Sequence, residues 1–190
     1  QAIEDANVVI LVVDAKNGIA DHDAHIAGYV LDSGRALVVA VNKWDLMSDY
    51  DREMFNLELE RKLHFLRWAR MIRISALKRN GLNHLMKAVD EAHAAAYRKI
   101  PTPKLTRALF EAVEQPPRAR GGRPKPRFAH QGGSNPPVIV IHGNALEDIG
   151  ESYRRYLEGF FREKFDLAGT PLRIEFRTKE NPFVKDDNKR

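Results

Sequence analysis

The chain has 190 residues, 43% of them hydrophobic, no cysteine and a formal net charge of +5. That length admits one or two domains with ordinary cores. The lack of cysteine excludes a disulfide framework, a thiolate metal site and a thiol nucleophile. No apolar run approaches the length of a membrane span, and the start shows no signal-peptide pattern, so a soluble, cytoplasmic protein without membrane partners is expected. The charge is uneven. Residues 1–100 carry 14 Lys+Arg against 14 Asp+Glu, and residues 101–190 carry 17 against 12.

Val8-Val9-Ile10-Leu11-Val12-Val13 is apolar without alternation, which predicts a strand covered on both faces within a parallel sheet. The pattern then predicts a helix over about 21–33, a strand at 36–42, a helix over about 51–66, a strand at 71–74 and a helix over 82–98. Strands alternating with helices give an α/β architecture, a parallel sheet with helices on both faces. Asp14 reads as a cap or turn residue. His22, Asp23 and His25 could hold a metal, but their spacing fits an exposed helix face better. In the helix over 82–98, Leu82, Leu85, Met86, Val89 and His93 fall at core spacing.

The chemistry concentrates after the second strand, where Ala36–Val41 runs into Asn42-Lys43-Trp44-Asp45. An ionised Asp only accepts hydrogen bonds, and guanine offers two adjacent donors, N1–H and the 2-amino group, where adenine has no such pair. A bidentate contact of this kind discriminates by roughly 1–3 kcal/mol. Asn42 can serve the ring edge or tie neighbouring loops together, and the stem of Lys43 can lie flat against a base. Ser75-Ala76-Leu77 follows the third strand about thirty residues on. There the small Ala76 lets its N–H approach the guanine carbonyl, and the Ser75 hydroxyl can brace Asp45. Both loops leave the carboxyl ends of strands, where parallel sheets bind ligands. Asn42, Lys43, Asp45, Ser75, Ala76 and Leu77 are therefore the expected guanine-binding residues.

Groups for the phosphates are not found. A phosphate loop ends in Gly-Lys-Ser/Thr, and no Gly-Lys dipeptide occurs in the chain. The sole Asp-x-x-Gly, Asp166 to Gly169, reads as a helix-end turn with Gly169 as cap. The sequence is thus expected to open within a domain, with residues 1–6 ending a helix. Its partner would be a missing N-terminal part of the same protein. No catalytic residue and no Mg²⁺ ligand is assigned.

Pro101-Thr102-Pro103 breaks the chain and sets the expected boundary between domains 1–100 and 101–190. A short helix over 106–114 turns Leu105, Leu109, Phe110 and Val113 inward. Residues 116–127 carry Arg118, Arg120, Arg123, Lys125 and Arg127 with no acid, four prolines and two glycines. This composition denies helix or sheet-interior structure and suits an arm for RNA phosphates. Strands at 127–131 and 138–142 follow, then a helix over 150–165 with Tyr153, Tyr156, Leu157, Phe160, Phe161 and Phe165 on one stripe, then a strand at 172–177. Residues 184–190 read as disordered.

The order of these parts resembles one family, the bacterial double-GTPases of ribosome assembly called Der or EngA. It is carried by Val12-Val13-Asp14-Ala15, Asp23 to Ala27, Asn42-Lys43-Trp44-Asp45, Ser75-Ala76-Leu77, Thr102-Pro103-Lys104-Leu105, Glu151-Ser152-Tyr153, Tyr156-Leu157, Gly169-Thr170-Pro171 and Thr178 to Phe183. The resemblance spans nearly the whole chain, as the later half of a P-loop GTPase domain followed by a small α+β KH-like domain. It implies binding of GTP and GDP, hydrolysis with Mg²⁺ in the intact protein, and association with the large ribosomal subunit and its RNA. One feature departs from the true KH pattern, which clamps nucleic acid with Gly-x-x-Gly. None of the twelve glycines has another three positions on, so the small domain is expected to pack on GTPase domains. The same departure makes the KH-bearing GTPase Era a poorer match. The alternative from another class is a non-catalytic RNA- or ribosome-binding module with an incomplete nucleotide site.

Overall fold

The structure, a computed structural model, describes residues 2–114, 125–144, 146 and 149–178. A short helix α1 (Ala2–Asp5) leads into β1 (Val8–Asp14), α2 (Asp21–Asp32), β2 (Ala36–Asn42), α3 (Asp49–Lys62), β3 (Arg70–Arg73) and α4 (Leu82–Ala96). The three strands form a parallel sheet in the order β1-β2-β3. β2 is its centre, and Ala36 to Val41 are all buried. Its period of two divides the run between two cores. Leu37, Val39 and Val41 join the residues of α2 and α3, while Ala36, Val38 and Ala40 meet α4.

β1 differs from its sequence reading. Leu11 and Val13 are buried, but Ile10 and Val12 are 38% and 56% exposed. These two share the α4 side of the sheet with Val38 and Ala40, by register. The short Ala88, Ala92 and Ala96 bring α4 down over β2 and leave the face of β1 open. The alanine stripe also corrects the expected core face of α4, because Met86 and His93 are exposed and His93 lies against the Tyr97 ring at 4.8 Å. α3 begins two residues earlier than expected because Ser48 and Asp51 exchange side-chain-to-backbone bonds of 3.2 Å. It ends at Lys62, before a separate turn over His64–Leu66.

In the second half α5 covers Thr102–Glu114, starting four residues earlier than read. Proline is tolerated in a first turn, where its missing N–H has no helical partner to lose. Phe110 points outward, 44% exposed. β4 (Lys125–Gly133), β5 (Val138–Asn144), α6 (Glu151–Lys164) and β6 (Arg173–Thr178) complete the fold. β4 runs antiparallel and β6 parallel to β5. One face of this sheet is covered by α5 and α6, with Leu105, Leu109, Ile139, Ile141, Leu157, Phe161 and Ile174 in the core. The result is an α/β unit followed by a small α+β unit.

The backbone of Gly169 ties the second unit to the first sheet. Gly169 N–H donates to the Trp68 carbonyl at 2.7 Å, and the Leu37 N–H donates to the Gly169 carbonyl at 2.9 Å. The backbone of the second unit thus bridges β2 and the residues just before β3. The reading of Gly169 as a helix cap is corrected, since α6 ends at Lys164 with Phe165 as its cap and Gly169 serves the other sheet. Its φ is +84°, and a Cβ there would lie 2.6 Å from that of Ala92. Arg162, half-buried, donates to the carbonyls of Leu167 (2.9 Å) and Thr170 (2.6 Å) and stands over the Trp68 ring. Desolvation lowers its pKa to about 10. Asn7, Tyr97 and Asn135 close the far end of the seam through bonds of 2.7 and 3.0 Å to the Tyr97 hydroxyl. The small unit therefore packs on the α/β unit.

Candidate functional site

Asn42 is the last residue of β2, and Asp14, directly opposite, is the last of β1. Lys43 then takes a left-handed conformation, φ 61°, uncommon for a residue with a Cβ. Its Nζ contacts Asp14 Oδ2 at 2.6 Å. Asp14 also accepts from the Lys16 N–H and the Asn17 side chain, each at 3.0 Å, so it ends the strand and anchors the lysine. The hydrogen bond from Lys43 holds the Asp14 carboxyl below its ordinary range.

Trp44 to Leu46 form one 3₁₀ turn, which presents Asp45. The Trp44 N–H bonds the Ile74 carbonyl at 3.2 Å, and Arg73 and Arg52 flank its ring at 4.8 and 5.5 Å. The next loop is closed by a reciprocal pair of 3.0 Å bonds between Ser75 and Asn80. Asn42 Oδ1 accepts the Ala76 N–H at 3.0 Å and links the two loops directly. The sequence reading had aimed that N–H at a ring carbonyl. In this structure it is given to Asn42. Asp45 is bonded by Lys78 Nζ at 3.0 Å and by the Ser75 hydroxyl, and these two, Lys78 first, lower its pKa. Leu77 lies on the rim, 92% exposed.

Residues 1–95 match the family model of the elongation factor Tu GTP-binding domain. The chain belongs to that family. Residues 99–177 match the KH-domain-like C-terminal domain of EngA bacterial GTPases. Among curated relatives, the GTPase Der of Leptothrix cholodnii and that of Ralstonia pickettii are each 60% identical over 190 residues. The match takes in 99% of this chain and 42% of each relative. The chain therefore spans less than half the length of the curated relatives it matches. A crystal structure of Era in complex with MgGDPNP and a segment of 16S ribosomal RNA aligns over 94% of this chain and 67% of that one, at 18% identity and a TM-score of 0.40.

In this member of the family the sheet gathers Asn42, Lys43, Asp45, Ser75 and Ala76 at one end, joined by named hydrogen bonds. The donor set suits a guanine base, with a carboxylate acceptor at Asp45 and a side-chain amide at Asn42. Among the described residues no group of three or more acids and histidines is spaced to hold a metal ion. His22 and His25 are exposed on α2. A cavity of about 540 Å³ lies against α3, lined in part by Lys16, Asn17, Tyr50 and Asp51, and touches none of the five loop residues. Of the basic arm, Arg118, Arg120 and Arg123 lie outside the described residues. Lys125 and Arg127 belong to β4 and are exposed, which corrects the reading of 116–127 as one loop. A strand edge tolerates Pro126 beside them. Residues 184–190 also lie outside the described residues. No described helix is long and apolar enough to cross a membrane.

Two partners escaped the sequence reading, Asp14 for Lys43 and Lys78 for Asp45. The first carried a signal, since β1 and β2 end in register when both are parallel and of equal length. The second carried none, because it depends on how the loop after β3 closes.

Proposed function

We propose that this chain carries the guanine-reading part of a cytoplasmic GTP-binding and GTP-hydrolysing protein that acts in assembly of the large ribosomal subunit. Asp45 accepts from N1–H and the 2-amino group, Asn42 serves the ring edge and the loop tie, and the Lys43 stem covers a base face. Leu77 lines the rim beside them. Supporting this reading above all is the Asn42–Ala76 bond, which couples the two loops at the mouth of the sheet. A carboxylate has about four lone-pair sites, so Asp45 can keep Ser75 and Lys78 and still accept from a base.

Hydrolysis belongs in this proposal to the intact protein, with Mg²⁺. Phosphoryl transfer rests on positioning and charge around the phosphates, and these 190 residues contain no Gly-Lys loop to supply it. Large-subunit RNA is the proposed macromolecular partner, with Arg118, Arg120, Arg123, Lys125 and Arg127 as phosphate contacts.

Asp45→Asn in the intact protein tests the base assignment. Xanthine replaces the 2-amino donor by a carbonyl acceptor, which the new amide can meet. Competition binding is expected to show weaker GTP and stronger xanthosine triphosphate binding, by about tenfold or more in their ratio. Unchanged affinity for both would remove Asp45 from the role of base reader.

A further inference from the structure

One face of the second sheet is covered by α5 and α6, and the strand register shows what stands on the other, where Phe128, Glu175 and Arg177 are exposed and Val140 is buried. Phe128 of β4, His142 of β5 and Arg177 of β6 form one row across the three strands, and His130, Val140 and Glu175 form the next. The alternate residues Ala129, Ile141 and Phe176 turn to the core. Phe128 and His142 are stacked at 4.5 Å with 9° between their planes, and His130 lies 5.2 Å from His142 at 22°. Phe128 keeps 42% of its surface exposed.

An exposed phenylalanine stacked on two histidines is not explained by packing, because α5 and α6 occupy the other face. The surroundings are cationic. Arg177 ends the first row, its side chain 59% exposed, and Arg127 and Lys125 precede Phe128 on β4 and are exposed. Glu175, an acid on this face, is taken by Arg177 at 3.3 Å. Burial, with His130 and Arg177 nearby, pushes the His142 imidazole down, which keeps it a neutral aromatic ring.

We propose that this face is a stacking platform for single-stranded RNA, with bases on Phe128 and His142 and phosphates on Arg177, Arg127 and Lys125. Aromatic side chains interleaved with cations bind single strands in this way, because every base has a π-face and every linkage a negative charge. The platform supplies nucleic-acid binding that the absent Gly-x-x-Gly clamp does not. Its choice of RNA over DNA rests on the proposed role in ribosome assembly. Its location, remote in sequence from the guanine loops, does not.

The test uses the full 190-residue chain and a short single-stranded RNA carrying 2-aminopurine, whose emission is quenched on stacking. Wild-type protein is expected to quench it. Phe128→Leu keeps the apolar bulk without the π-face and is expected to weaken binding by about tenfold and abolish the quench. Arg177→Gln is expected to lower the salt dependence by about one phosphate's worth and retain the quench. Thermal melts of both variants should match wild type, since both positions are exposed. Asp45→Asn carried in parallel should leave RNA binding unchanged, so failure of the platform and failure of the guanine reading remain distinguishable. Full affinity with no quench, or equal affinity of Phe128→Leu and wild type at every salt, would overturn the proposal. So would self-association of the chain that Phe128→Leu abolishes, which would make the face a protein contact.

Discussion

The two halves of this chain solve the problem of a three-stranded sheet in opposite ways. In the first, β2 is buried on both faces and the proposed site lies at the strand ends, where loops are held by side-chain ties: Asn42 to Ala76, Lys43 to Asp14, Lys78 and Ser75 to Asp45. In the second, α5 and α6 cover one face, and the other presents Phe128, Glu175 and Arg177 around a buried Val140. A strand covered on both faces has only its ends to offer a ligand, whereas a sheet face left uncovered offers a surface. The two proposals follow that contrast, with a small, base-shaped ligand for the first half and an extended strand of nucleic acid for the second.

The contrast is sharpened by breaking the join. Gly169→Val places a β-branched side chain at φ +84° and against Ala92, 2.6 Å from its Cβ position. Strain and overpacking together are expected to cost about 3–5 kcal/mol. The halves should then melt in separate transitions where wild type shows one. Calorimetry that finds a single, barely shifted transition would mean the seam does not couple them.

Acid should separate the halves more gently. Asp14, Asp45 and Asp51 of the first half are held below their ordinary value of 3.8, chiefly by bonds from Lys43, Lys78 and Ser48. Such groups contribute stability that is present above pH 3.8 and is lost as pH falls through their lower folded values. Glu158 of the second half is raised above 4.5 by burial. Its charged form costs the fold, and acidification through its raised value relieves that cost. Amide exchange followed residue by residue should show the second half unharmed down to about pH 4.5, and the loops at 42–46 and 75–80 opening first below 3.8. Simultaneous opening of both halves would contradict this division.

Much of this was legible in the residues. The unbroken apolar run of Ala36–Val41 reads as a doubly covered strand, and it is one, which sets where Asn42 and Asp45 emerge; the similar run of β1 is covered on one face only. The alternating elements and the aromatic stripe of α6 were equally readable, because local periodicity carries them. Contacts between segments distant in the chain were not. Gly169 looked like a helix cap because nothing local reveals that its backbone bridges the other sheet. Met86 and His93 fit the helical period as well as Ala88 and Ala92 do. Only the close approach to β2, which small residues permit, decides between the two faces. The ring row of Phe128 and His142 needs a strand register with a bulge after Pro126, which no single-strand pattern encodes.

The proposed joint reading of guanine by the loops after β2 and β3 is measured most directly by a titration of residues 1–190 with guanosine and, separately, with adenosine, following amide chemical shifts. Guanosine is expected to move the Asn42 side-chain amide and the Ala76 backbone amide together, with adenosine leaving both in place. Equal movement with the two nucleosides, or shifts confined to residues outside 42–46 and 75–80, would contradict the account.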